Sequence, residues 1–213
     1  MATGEPTAIE FLPERTTFKS LRDAAMHCRG CDLYKHATQT VFGEGNAHAP
    51  MMLVGEQPGD SEDRQGHPFV GPAGKLLHAA LTEAGIEPRD VYITNAVKHF
   101  KFTLRGKRRI HQKPKTIEIR ACRPWLEAEI ALVKPQIVVT LGATAAQSLL
   151  GPSFRLTQHR GEVVSSELVP RIIATIHPSA ILRAPDDEAR RDEMAAFVED
   201  LRFIRSRLDA IAR

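Results

Sequence analysis

Three short segments of the chain hold side chains suited to acid–base and hydrogen-bonding chemistry. Glu56-Gln57-Pro58-Gly59-Asp60 offers two carboxylates and an amide within five residues, and Asn95 carries a donor and an acceptor on one side chain. His177-Pro178-Ser179 sets an imidazole beside a hydroxyl. Carboxylates of this kind stabilise a developing cation or orient a nucleophile, and a histidine donates to a departing anion. Taken singly, each has an ordinary structural use, such as capping a turn after a strand. A fourth group comprises all three cysteines, Cys28, Cys31 and Cys122. Three thiols cannot build a disulfide framework, and the Cys-x-x-Cys pair points to redox or metal chemistry.

Charge is distributed unevenly. The net charge is +3, but residues 98–123 contain ten Lys/Arg against the single acid Glu118, so this stretch carries +9 and the rest of the chain −6. A concentrated basic run in an otherwise acidic protein is the footprint of a polyanionic partner, although a solvated basic loop has the same composition.

The hydrophobic pattern shows what must position these groups. Short apolar runs at Met51–Val54, Val91–Thr94, Gln136–Leu141 and Arg171–Ile176 read as four buried strands. Helical periodicity covers Thr17–His27, Pro72–Ala84, Thr116–Val133, Ala143–Leu150 and Asp186–Ala212. This alternation predicts a three-layer α/β/α sandwich around a mainly parallel, four-stranded sheet, folded as one domain over residues 1–213. Residues 1–15 read as a loose tail and 105–115 as an inserted basic loop. In such sheets ligands bind beyond the carboxyl ends of the strands. Glu56–Asp60 follows the first strand, Asn95 the second and His177–Ser179 the fourth, which predicts one shared cleft. At 213 residues with 42% hydrophobic and 26% charged content, the chain has enough material for a sizeable core. Its longest apolar runs fall well short of the roughly 18 residues of a membrane span. The N-terminal MATGEPTAIEFLPER has acids and prolines where a secretion signal needs a basic start and an apolar run. The expectation is a cytoplasmic monomer.

GEQPGDSEDRQGHPFVGPAGKLL (residues 55–77) resembles the first signature of the family 4 uracil-DNA glycosylases, and HPSAIL (177–182) resembles their second. The resemblance runs over roughly residues 17–207, in the same order of elements. Two features, Gln57 in the first signature and the inserted KRRIH (107–111), make the chain similar to the UdgX-type branch, whose members become covalently joined to uracil-containing DNA through the loop histidine. The resemblance implies that uracil-containing DNA, single-stranded or duplex, is the partner and that the base is flipped out and excised. It puts Phe69 over the uracil ring and His177 close to uracil O2, and the two-sided amide of Asn95 suits the O4/N3–H edge. It makes Glu56 the partner of His111, and Gln57 and Asp60 organisers of the sugar–phosphate side. Asp63 reads as a loop cap. Lys107, Arg108 and Arg109 are the expected phosphate contacts, with Arg109 the positioning residue of the loop.

Family 4 enzymes hold a [4Fe–4S] cluster on four cysteines, and the third falls here on His99. The resemblance therefore implies Cys28, Cys31, His99 and Cys122 as cluster ligands with a structural role. The residues themselves leave another assignment open: three Cys and one His with a Cys-x-x-Cys pair is a common structural zinc arrangement. The blandest alternative makes Cys122 a core thiol and His99 a surface residue.

An imidazole nitrogen is a competent nucleophile. Where an ordinary glycosylase holds a water against the sugar cation, the KRRIH loop is expected to place His111, so that turnover stops at a stable carbon–nitrogen bond.

Overall fold

The computed structural model describes residues 6–211. In chain order the strands are β1 (Glu44–Gly45), β2 (Met51–Gly55), β3 (Val91–Asn95), β4 (Phe102–Arg105), β5 (Arg108–His111), β6 (Ile137–Leu141), β7 (Val163–Val164) and β8 (Ile172–Thr175). The helices are α1 (Phe18–Ala25), α2 (Asp60–Gln65), α3 (Pro72–Glu83), α4 (Thr116–Val133), α5 (Ala143–Leu150), α6 (Leu156–His159), α7 (Pro178–Ile181) and α8 (Asp187–Ile211).

The central sheet runs β1-β3-β2-β6-β8-β7, with its four middle strands parallel and the two outer ones antiparallel. It has six strands, not the four read from the sequence. β1 and β7 are two residues each, too short to show any period in the chain, and they exist only because a neighbouring strand offers an edge. The four middle strands are buried on both faces, as parallel strands must be. In β2, Met51 and Leu53 pack under α3 and α8, with Leu77, Leu81, Phe197, Leu201 and Ile204. Met52 and Val54 face the other way, against Leu126, Ile130, Ala145 and Leu149 of α4 and α5. The three-layer architecture follows from this two-sided apolar alternation. Among the described residues, no helix is long and apolar enough to cross a membrane.

Two further departures from the sequence reading have local causes. Residues 1–5 of the expected tail lie outside the described residues, but Ala8–Phe11 forms a 3-10 helix with Ala8 fully buried beside Leu21 and Trp125, so this part is docked, not loose. The end of the long C-terminal helix, expected to reach Ala212, also lies outside the described residues; the helix is described to Ile211. The stretch read as a basic loop is mostly a hairpin, β4–β5, paired from Phe102↔His111 to Arg105↔Arg108. Gly106 takes a positive φ of 60° and Lys107 does not, which is the two-residue hairpin turn with glycine first.

Register places the chemistry. Gly55 pairs with Asn95, Val54 with Thr94, Thr140 with Ala174 and Leu141 with Thr175, so the carboxyl ends of β2, β3, β6 and β8 finish side by side. Between β2 and α3 the chain turns sharply through Phe69, a non-glycine residue at φ 54°. Gly74 in α3 makes this turn possible, because a Cβ there would lie 1.7 Å from the Phe69 carbonyl oxygen. Gly→Ala inside a helix ordinarily adds up to about 1 kcal/mol of stability. Here the sign should reverse: Gly74→Ala is expected to lower stability in urea unfolding by at least about 1 kcal/mol, because backbone must move to admit the methyl.

Candidate active site

The strand ends open into a cleft of about 880 Å³ lined by Glu56, Phe69, Asn95, His111, Thr144 and His177, among others. Phe69 is buried and forms a wall, its ring centroid 5.9 Å from that of His177. Gly55 allows the close approach of two groups, since a Cβ there would sit 2.3 Å from Asn95 Oδ1 and 2.7 Å from Phe69 Cζ. Asn95 is 2% exposed, and its Oδ1 is one of the few buried polar atoms without a partner among the described residues. An unpaired buried carbonyl is costly, and a ligand with an N–H donor relieves the cost.

His177 follows β8 and caps α7. Its Nδ1 accepts the Ser179 backbone N–H at 3.1 Å, so in the neutral ring Nε2 carries the proton and is the free donor. Burial pulls its pKa down to about 4, outweighing the pull of nearby Glu56 in the other direction. The ring is therefore a neutral hydrogen-bond donor at physiological pH. Glu56 shows the opposite balance. Burial alone would raise its pKa, but the hydrogen bonds from His111 and Thr144 prevail and hold it below the ordinary carboxylate value. His111 Nε2 lies 3.3 Å from Glu56 Oε1 at the mouth of the cleft, with its side chain half exposed.

The hairpin that carries His111 is clamped at its base and at its middle. Gln57 holds the base: its Nε2 donates to the carbonyls of Lys101 and Gln112 at 3.2 and 3.1 Å, and its Oε1 accepts the Lys101 N–H at 3.1 Å. Arg109 holds the middle. Its guanidinium is only 11% exposed and pairs with Asp60 and, at 2.6 Å, with fully buried Asp63. It also lies 5.4 Å from the ring centroid of Phe100 and 5.0 Å from that of Phe102. Asp63 additionally accepts the Thr38 backbone N–H at 3.0 Å. Gln57 and Asp60 do line the cleft, yet their polar atoms are committed to the hairpin and to Arg64, a task the sequence reading did not assign to them. Arg109 faces inward, unlike Lys107 and Arg108, which are exposed and form no ion pair among the described residues. The basic run is accordingly less free than its composition: Lys98 pairs with Glu129, Lys101 with Glu118 and Arg123 with Glu127.

Thr144 and Arg183 also line the cleft and were not singled out from the sequence. Thr144 follows β6, the one parallel strand whose carboxyl end the motif reading passed over, and that equivalence was the available signal.

The cysteines share one hydrophobic cluster beside the chain that leaves β3. Cys28 and Cys122 are buried in one cluster with Trp125, and Cys31 packs against it. Trp125 Nε1–H and the Lys98 N–H donate to the sulfurs of Cys28 and Cys122, each at 3.2 Å. Such donors suit thiolate ligands. Burial raises the pKa of Cys31 and pushes that of Cys122 up to about 12, so a bound metal would have to draw off their protons. His99 shares a small pocket with Cys28. The Thr40 hydroxyl donates to the Ala25 carbonyl, so it accepts from His99 Nε2 at 2.9 Å and leaves Nδ1 as a free lone pair. Burial lowers the His99 pKa to about 4, which keeps the ring in the neutral, ligating form. No three of these donors converge on a single point among the described residues. Each iron of a multinuclear cluster takes its own ligand, so a cluster needs donors ringed around a volume, and the donor chemistry here fits such a group.

Removing Arg109 would leave buried Asp63 uncompensated, a change that typically costs about 3–5 kcal/mol. Arg109→Ala and Gln57→Ala should each release the hairpin from the body. Amide hydrogen exchange is expected to accelerate strongly over residues 102–112 while β2, β6 and β8 stay protected.

Residues 42–202 match the model of the uracil DNA glycosylase superfamily. Among curated proteins, the chain is 39% identical over 165 residues to a type-4 uracil-DNA glycosylase of Thermotoga maritima, covering 77% of this chain and 82% of the relative. A type-4 uracil-DNA glycosylase of Pyrobaculum aerophilum is 36% identical over 174 residues, 78% and 85% of the two chains. A type-5 uracil-DNA glycosylase of Thermus thermophilus is 34% identical over 125 residues, 52% and 53% of the two. With three quarters of its length aligned in this way and its strand ends closing on one cleft, the chain belongs to the uracil-DNA glycosylase superfamily.

Proposed function

We propose that the protein excises uracil from DNA and then bonds to the abasic sugar through His111, in the manner of the UdgX-type branch. The observation that carries this reading is the pairing of His111 with Glu56 at the mouth of the cleft that holds Phe69, Asn95 and His177.

In this reading an extruded uracil lies against Phe69, with its amide edge on Asn95, where the unpaired Oδ1 accepts the N3–H. His177 donates from Nε2 to uracil O2. That bond strengthens as the C1′–N1 electrons pass to the base, so it favours the departing anion over the neutral substrate. Ionised Glu56 offsets the positive charge that develops at C1′. An imidazole nitrogen of His111 then forms the bond to C1′ as uracil leaves as the anion, and the proton on the other ring nitrogen passes through Glu56 to solvent, which leaves a neutral N-alkylated ring. An N-alkylated imidazole is a poor leaving group, and the adduct persists.

Gln57, Arg109, Asp60 and Asp63 serve this step by holding the hairpin, and Lys107 and Arg108 contact phosphate. Cys28, Cys31, His99 and Cys122 hold a [4Fe–4S] cluster with a structural role, the assignment that the likeness to type-4 uracil-DNA glycosylases favours over zinc. That group would tie the segment after α1 to α4 and to the chain leaving β3.

A denaturing gel with labelled uracil-containing single strand tests the reading. The wild type should give a protein–DNA band that survives heat and detergent; a free abasic strand would make it an ordinary turnover glycosylase, and intact strand a non-catalytic binder. His111→Ala should lose the band, and His111→Ser should admit water and release uracil. An adduct that persists in His111→Ala, or maps to a lysine, overturns the trapping step.

Lys107→Ala/Arg108→Ala should weaken DNA association and flatten its dependence on salt, with a slope change of roughly 0.7 per phosphate contact on single strands, while excision at saturating protein continues. An unchanged slope in equilibrium binding would remove the hairpin tip from the DNA surface.

A further inference from the structure

We infer that the buried Lys98–Glu129 ion pair is the positioning device for Asn95, acting on its backbone to aim the amide into the cleft. This rests on the uracil-excision reading above.

Lys98 and Glu129 are both fully buried, and nothing in the proposed chemistry uses them. Two charges sealed from water are weak evidence of stability, since a well-packed apolar pair of similar volume serves a fold equally well or better. Their hydrogen bonds point to another task. The three protons of Lys98 Nζ reach three acceptors: Thr94 Oγ1 at 2.6 Å, the Asn95 carbonyl at 2.8 Å and Glu129 Oε2. Glu129 in turn accepts from the Gly43 N–H, the Tyr92 hydroxyl and the Thr94 hydroxyl, each at 3.0 Å. The ammonium therefore cannot swing away, and the Asn95 carbonyl is tied to a point fixed by α4.

That tie matters because the other end of Asn95 is loose. Its Oδ1 has no partner among the described residues, so no hydrogen bond from them aims the amide before substrate arrives. The remaining constraints are the close walls of Gly55 and Phe69 and the backbone itself. Beyond Asn95 the chain stays pinned to the turn after β2, through Ala96 N–H to the Gly55 carbonyl at 2.8 Å and Val97 N–H to the Glu56 carbonyl at 3.0 Å. Lys98 closes the same turn from beneath. Its own N–H is anchored on Cys122 Sγ. One residue thus joins α4 to the peptide plane that sets the direction of the Asn95 side chain.

The test is a double-mutant cycle on single-turnover uracil excision, with DNA affinity measured in parallel. Lys98→Met/Glu129→Leu removes both charges together and leaves no buried ion. Thr94→Val removes one hydroxyl of the cradle and is the milder arm should the first variant fail to fold. In the otherwise native protein the charge-free variant should lower the excision rate by about 10²-fold, the scale of a misplaced pocket group, with DNA affinity unchanged. Thr94→Val should lower it by a smaller factor. In an Asn95→Ala background, either substitution should cost about twofold or less, because the group it positions is gone. A purely structural role would instead multiply through both backgrounds. The full loss persisting without Asn95, or no loss with Asn95 present, overturns the inference and leaves the excision reading standing. A wild-type protein that neither excises uracil nor forms the adduct overturns both.

Discussion

The register of four parallel strands is the constraint from which the rest of this structure follows. Pairing of Gly55 with Asn95 and of Leu141 with Thr175 brings the carboxyl ends of β2, β3, β6 and β8 level. Glu56, Asn95, Thr144 and His177 are each attached within three residues of one of those ends. A slip of one residue would turn each strand's apolar set onto the opposite face, and both faces are covered by helices, so the register is held by the whole core. The rigidity of the site is therefore a property of Met51–Val54, Ile137–Leu141 and Ile172–Thr175, which do no chemistry themselves.

Onto this frame the protein adds one element that the sheet does not dictate. The β4–β5 hairpin is held from outside the ladder, by the Gln57 amide at its base and by Arg109 between Asp60 and Asp63. Both clamps originate in the segment that follows β2. The same eight residues, 56–63, thus provide the Glu56 carboxylate and fix the hairpin that carries its partner His111, so the two sides of that pair are positioned by a common support.

The fully buried charges Asp63, Lys98 and Glu129 each sit in a hydrogen-bonded group. Lys98, Lys101, Arg109 and Arg123 are paired with acids, so four of the ten cations that look free in residues 98–123 are engaged within the fold. What remains exposed on the hairpin, Arg105, Lys107 and Arg108, is concentrated at its tip. Lys113, Lys115 and Arg120 are exposed as well and form no ion pair among the described residues, so the free basic surface runs from the hairpin tip to the first turns of α4.

Much of this was legible in the chain. Apolar runs with two-sided burial located all four parallel strands, because hydrophobic periodicity records which faces must leave water, and the polar clusters after three of them marked the cleft. The Cys-x-x-Cys pair lies in the hydrophobic cluster that also holds Cys122. The edge strands, the docking of Ala8–Phe11 and the hairpin were decided by tertiary structure: a two-residue strand has no period, and the hairpin's alternation was masked by its charge. The same holds for Gln57, Asp60, Lys98 and Arg109. A long polar side chain reads alike whether it meets solvent, substrate or a buried partner, and its actual partner lies from 31 to 55 residues away for Lys98–Glu129, Lys101–Gln57, Arg109–Asp60 and Gln57–Gln112. Local pattern carries burial, and only the folded chain decides which charges are satisfied within it.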